Sequence, residues 1–142
     1  MLTLERTIRT RLPDVDDAWL ALQDAVEKLS NGLARFESRD RLDEAFAEVA
    51  DCATPIFRRE EEVLQQLHDP LRRVHMEGHR RFLERLRSFR HDLRQQGATW
   101  ELARAVRCEL RDGLREHHAV MDALLGCSVT RSLGQDPALL RP

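Results

Sequence analysis

Histidines and carboxylates at metal-ligand spacing are concentrated in the middle of this chain. His75 and His79 are four residues apart in a segment without an interior proline. On a helix this spacing places both imidazoles on one face, one turn apart, so that they can reach a common point. Glu60 precedes them across a predicted turn at Asp69 and Pro70. A carboxylate from there could complete the coordination of a hard ion such as iron, so the pattern predicts a metal site.

A second group of potential ligands lies further along the chain. His117 stands beside a second histidine, His118, and Asp122 follows His117 by five residues. If their helix is an antiparallel neighbour of the helix that carries the first pair, His117 and Asp122 can face the same volume. The predicted ligands are His75, His79, His117, Glu60 and Asp122.

Helices must position these residues. Glycine and proline are sparse and tyrosine is absent, which favours a helical chain over a sheet. Apolar residues recur at three- and four-residue intervals in long segments. The predicted helices are 17–36, 42–67, 70–96 and 99–125. Gly97 and Gly126 are expected to end the last two, and Pro55 predicts a kink or a local bulge just before Ile56.

Four long helices joined by short turns predict an all-α protein, an up-down-up-down four-helix bundle. A chain of 142 residues is expected to form one domain that is long enough to bury a core. The expected organisation is an N-terminal arm at 1–13, a bundle at 14–126 and a short C-terminal tail at 127–142.

Charge and composition exclude several classes of partner. The formal net charge is -2 at pH 7, so nothing attracts nucleic acid or an anionic membrane. No apolar run approaches the ~20 residues needed to span a bilayer. Cys52, Cys108 and Cys127 show no paired spacing. We therefore expect free thiols and a cytoplasmic protein.

In this helical frame the chain resembles the hemerythrin family. The family signature is His-Phe-x-x-Glu-Glu on the second helix, a Tyr-Pro turn, His-x-x-x-His-x-x-Phe on the third helix and His-Ile-x-x-x-Asp on the fourth. The similarity extends over about 15–125 and keeps its spacing across three helices. The residues that match are Phe57, Glu60, Glu61, Pro70, His75, His79, Phe82, His117 and Asp122.

The resemblance implies a bundle that holds two irons bridged by the glutamate and the aspartate. In the family one iron has three histidines, and the other has two and an open position where oxygen binds. Carried over to this chain, the three-histidine iron would use His75, His79 and His117. Glu60 and Asp122 would be the carboxylates.

The sequence departs from the family at the second iron. The first-helix pattern is Asp-x-x-His, but here Asp16 is followed three residues later by Trp19. The second-helix histidine is replaced by Ile56. Both nitrogen ligands of the oxygen-binding iron are therefore missing, and large apolar groups stand in their place. We expect one ion per chain, iron in preference, with zinc or manganese as alternatives.

These features predict a non-haem metal protein that binds or senses a small diatomic ligand, oxygen or nitric oxide, or that handles iron. A metal-free signalling or interaction module with a vestigial site is the alternative. An iron-dependent enzyme is a third hypothesis. No substrate pocket can be recognised in the sequence, so this hypothesis is the least favoured. Whether the chain forms a homo-oligomer or binds a signalling partner is left open.

Three nearby residues have less specific expectations. Glu61 is expected to be a solvated helix charge. His118 is expected to face a neighbouring helix or solvent, although an exchange of roles with His117 is left open. Cys52, one turn before Ile56, is expected to be an inert buried thiol rather than a replacement ligand.

Overall fold

Four helices pack side by side in the described part of the chain, which contains no strand. The computed structural model describes the backbone of residues 13–135 and, within it, the side chains of 15–120, 124–127 and 129–131. The first three helices are α1 (Pro13–Ala34), α2 (Arg39–Gln66) and α3 (Arg72–Gln96). The four helices form a closed ring. Each packs against the next along the chain, and the fourth packs against α1. The prediction of an all-α four-helix bundle is confirmed.

The fourth helix, α4, spans 100–135 and changes its winding along its length. Its α-helical segments are Trp100–Ala105, Asp112–His117 and Ala123–Gln135. Between them lie two π-helical segments, Val106–Arg111 and His118–Asp122. Because π-helical segments often occur at functional sites, it is notable that the second one follows His117 directly.

Short turns join the helices, and side-chain caps begin α2 and α4. The Ser38 hydroxyl accepts a hydrogen bond from the backbone N–H of Arg41 at 3.3 Å and begins α2. The Thr99 hydroxyl accepts one from Leu102 at 3.0 Å and begins α4. These bonds satisfy N–H groups that have no partner within the helix. Gly97 ends α3 with a φ of 75°, as predicted, since a left-handed residue at this position favours glycine.

The predicted end of α4 at Gly126 is wrong, and so is the predicted start of a C-terminal tail at 127, because the helix continues to Gln135. A glycine inside a helix costs about 1 kcal/mol relative to alanine. Leu125 and Val129 are almost completely buried on either side of it, and burying such side chains contributes about 1.5–3 kcal/mol each. Packing therefore outweighs the local preference to stop.

The predicted N-terminal arm at 1–13 lies outside the described residues except for Pro13, which begins α1.

The predicted kink or bulge before Ile56 does not take the form of a bulge, because α2 keeps α-helical winding through Pro55. Thr54 Oγ1 donates a hydrogen bond to the carbonyl oxygen of Ala50 at 2.9 Å. The π-helical winding lies in α4 instead. A kink without a bulge stays a prediction.

The core is a continuous set of apolar side chains between the four helices. Trp19 of α1 and Ile56 of α2 both belong to it, each 3% exposed. The largest fully buried apolar side chains are Leu22, Leu29, Leu33, Leu42, Phe46, Leu64, Leu93, Leu110 and Leu125. Trp19 and Ile56 are thus part of the hydrophobic core.

Ion pairs connect neighbouring helices at the edge of the core. Asp43 of α2 accepts hydrogen bonds from Arg90 at 2.8 Å and from Arg94 at 3.0 Å, both on α3. Glu27 of α1 accepts one from Arg115 of α4 at 2.6 Å. The Arg90 bond chiefly holds the pKa of Asp43 well below its usual range. Such partly exposed pairs contribute at most about 1 kcal/mol each.

Among the described residues, no helix has both the length and the apolar character needed to cross a membrane.

Candidate metal site

Three helices bring four of the five predicted ligands to one place. Glu60 comes from α2, His75 and His79 from α3, and His117 from α4. One potential ligand atom of each lies within 4.8 Å of every other. Glu60, His75 and His79 are at most 2% exposed, and His117 is partly buried. The protein therefore has a buried histidine and glutamate cluster that could bind a metal.

The four-residue spacing on α3 turns both of its histidines inward, as expected for a helix. The ring centroids of His75 and His79 are 4.8 Å apart, and that of His117 is 4.9 Å from the first and 5.0 Å from the second. Phe57 of α2 stacks on His79 at 4.0 Å. Phe82 meets Phe57 edge-on at 5.6 Å and closes the apolar wall behind the histidines.

His117 reaches the cluster by crossing close to the backbone of α3. A Cβ added at Gly78 would lie 3.2 Å from Nδ1 of His117. That distance is tighter than an ordinary contact, so the lack of a side chain at Gly78 provides room for the ring. A glycine between the two histidines of α3 thus has a specific packing role.

His79 lies between two carboxylates. Its Nε2 is 3.0 Å from Oε1 of Glu60, and its Nδ1 is 2.8 Å from Oε2 of Glu61. Burial lowers the pKa of His79 to about 4, although the hydrogen bond to Glu61 opposes this and nearby His117 adds to it. The imidazole is therefore neutral at pH 7, as a metal ligand must be.

A neutral imidazole has only one N–H, so it can donate to one of these two carboxylates and not to both. In either tautomer the other ring nitrogen directs its lone pair at a carboxylate oxygen 3.0 Å away or closer. If Nδ1 donates to Glu61, a cation between Nε2 and Glu60 removes the remaining repulsion. Ligating histidines commonly donate their second N–H to a carboxylate in this way.

The distances also suit an ion. Ligand atoms at about 2.1 Å from a metal lie about 3 Å apart when adjacent and about 4.2 Å apart when opposite. Glu60 Oε1 is 3.0 Å from Nε2 of His79 and 3.6 Å from Nε2 of His75. The largest separation of 4.8 Å would have to shorten by roughly half an ångström to meet that geometry.

The fifth predicted ligand, Asp122, has a side chain that lies outside the described residues, so its role stays a prediction. Its backbone ends the π-helical segment His118–Asp122. In a π-helix the hydrogen bond joins residues five apart, which is the spacing between this aspartate and His117.

His118 is buried, but it is not a member of the cluster. Its ring stacks on Trp19 of α1, with centroids 3.9 Å apart and planes 12° apart. The expectation that it faces a neighbouring helix is met, and it is His117 that joins the cluster.

The expectation that Glu61 is a solvated charge is wrong. Its side chain is 29% exposed and pairs with His79. The available signal was the Glu-Glu pair in the family signature, which retains a carboxylate at this position. Cys52 is not part of any metal-capable cluster among the described side chains. Burial raises the pKa of its thiol.

Comparisons of the chain with models of protein families, with curated proteins and with solved structures found no match. The geometry of the cluster therefore carries the functional argument.

Proposed function

We propose that this protein binds one non-haem metal ion, iron in preference, at Glu60, His75, His79 and His117. The observation that carries this proposal is the position of His79 between two carboxylates in a cluster with two further imidazoles. A buried carboxylate beside the neutral imidazole of His79 is costly unless a cation or a proton compensates it. The ion would supply the position at which a small ligand such as oxygen or nitric oxide binds, or would itself be the cargo.

Two further features support a single ion. The gathered donors come from α2, α3 and α4 only. Trp19 and Ile56 are core residues whose side chains carry no metal-ligating atom. These two replacements support the hemerythrin-like interpretation of a bundle that has lost its second iron.

The donor set limits the identity of the metal. Three imidazoles and one carboxylate can form a tetrahedral zinc site. If Asp122 adds a second carboxylate, five donors favour Fe(II) or Mn(II) and leave one octahedral position for a small ligand. We infer iron from this second arrangement.

Metal analysis tests the proposal. Protein purified without chelators is expected to contain close to one ion per chain, and metal-free protein is expected to take up one Fe(II) in an anaerobic titration. Binding to the folded state should raise the melting temperature. A His75→Ala, His117→Ala double variant should lose both effects, whereas a variant of the exposed histidine, His91→Ala, should keep them.

The test also separates the alternatives. Two tightly held irons with the visible bands of an oxo bridge would contradict a single-ion site. A metal-free protein whose melting temperature does not respond to Fe(II), Mn(II) or Zn(II) would instead favour an interaction module. The burial of Trp19 and Ile56 is the observation that favours this second candidate.

A further inference from the structure

A cleft of about 520 Å³ lies between α3 and α4, beside two of the four candidate ligands. His79 and His117 both form part of its lining. Its volume falls in the range of small-molecule sites, about 300–1,000 Å³. A diatomic ligand needs little more than the space of one water molecule, about 30 Å³. The cleft is therefore much larger than a path for oxygen or nitric oxide requires.

Two glycines keep this side of the site open. Gly78 on α3 and Gly113 on α4 both line the cleft. A Cβ added at Gly113 would meet nothing within 4 Å, and one at Gly78 would meet only the ring of His117. Because glycine has no side chain, neither position covers the histidines. The π-helical segment Val106–Arg111 forms another part of the wall through Cys108 and Glu109.

The lining is apolar near the histidines and charged towards solvent. Phe57, Phe82 and Leu114 are buried and present hydrocarbon to the cleft. An ion pair between Arg85 of α3 and Glu109 of α4 bridges the two helices, and both side chains are partly exposed. Arg81 and Glu116 also line the cleft. The two arginines and two glutamates of the lining balance in formal charge, so the cleft favours a ligand without net charge.

We propose that this α3–α4 cleft binds a small, neutral, largely apolar organic molecule whose single nitrogen or oxygen donor faces the ion held by His79 and His117. The inference rests on the proposed function, since the donor needs a metal. It extends that function from a diatomic ligand to an organic one. The aromatic wall of Phe57 and Phe82 would hold the apolar part of the molecule.

The test compares imidazole with 4-phenylimidazole as probes on Co(II)-loaded protein, read by the visible spectrum of the metal. Both probes carry the same donor, but only the second has an apolar ring to bury. Burial of about half of that ring should strengthen binding roughly tenfold over imidazole. The same titrations on metal-free protein provide the background.

A pair of variants places the effect in the cleft. Gly113→Phe fills the open space and is expected to abolish the tenfold preference while the metal content stays the same. Ser88→Phe adds the same ring at an exposed position of α3 outside the cleft and should leave the preference unchanged. If Gly113→Phe lowers the melting temperature, Cys108→Phe, at an exposed position of the lining, replaces it.

The outcomes distinguish the two proposals. Failure to bind Co(II), Fe(II) or Zn(II) would overturn the proposed function. Metal uptake with equal affinity for both probes would overturn the cleft inference alone. The cleft inference would also be overturned if Gly113→Phe and Cys108→Phe, both folded and loaded with metal, kept the preference for 4-phenylimidazole.

Discussion

Oε2 of Glu61 lies 2.8 Å from Nδ1 of His79, while Nε2 of the same ring faces Glu60. If Nδ1–H donates to Glu61, this bond leaves the lone pair of Nε2 as the one available to a metal. Two adjacent glutamates on α2 thus have different roles, one as a candidate ligand and the other as the residue that orients a ligand.

Glu61→Ala is expected to weaken metal binding by about 10–100-fold, the usual effect of removing a carboxylate behind a ligating histidine. Glu61→Gln keeps an acceptor oxygen and should recover part of that loss. Glu62→Ala, at the exposed neighbouring position, is the matched control. Competition with a chromophoric chelator measures all three affinities, and equal values for the two alanine variants would contradict the role of Glu61.

Gly78→Ala is expected to weaken metal binding without unfolding the protein. The new Cβ would lie 3.2 Å from Nδ1 of His117 and would displace that ring from the cluster. Gly113→Ala, with nothing within 4 Å of its Cβ, is the control. It should keep full affinity and gain about 0.5–1 kcal/mol from better helix propensity. Chelator competition and urea unfolding measure the two effects, and unchanged affinity in Gly78→Ala would argue against close packing of His117.

The metal-free protein is expected to lose stability as the pH falls from about 6.5 to about 4. The pKa of His79 is lowered from 6.5 to about 4 in the folded state, so the unfolded chain binds the proton first and acid favours unfolding. For this residue alone the free energy of unfolding should be about 2 kcal/mol lower at pH 5 than at pH 8.

Urea unfolding at the two pH values checks this dependence. His79→Gln should show a smaller loss, and a variant of the exposed His91, His91→Gln, should behave like the parent protein. Asp43 does not contribute in this window, because its lowered pKa gives stability that is lost only below about pH 4. An equal pH dependence in all three proteins would contradict the assignment to His79.

Placing histidines at the positions of Trp19 and Ile56 is expected to create a site for a second ion. The double variant Trp19→His, Ile56→His should bind two irons per chain, because the resemblance places these positions at the second iron. Its metal-free form should be several kcal/mol less stable, since removing large buried side chains typically costs about 2–5 kcal/mol each. Metal analysis and urea unfolding measure the outcome, and the single variants serve as controls. A count that stays at one ion would argue against the family resemblance.

The helices could be predicted from the sequence because the spacing of apolar residues is a local property. The same reasoning placed His75 and His79 on one face of α3, where the structure has them. Helix ends were predicted less well. Gly97 ends α3 because its backbone adopts a left-handed conformation, but Gly126 does not end α4, since the packing of Leu125 and Val129 continues the helix past it.

Only the tertiary structure decided which side chains meet. The pairing of Glu61 with His79, the stacking of His118 on Trp19 and the approach of His117 to Gly78 each join residues from different helices. Their distances depend on how far each helix is rotated about its axis, and the π-helical segments of α4 change that rotation. The sequence by itself determined four helices and the residue types of a candidate metal site. The folded arrangement determined which donors share one volume and which of them line a cleft, because both depend on contacts between helices that local periodicity does not specify.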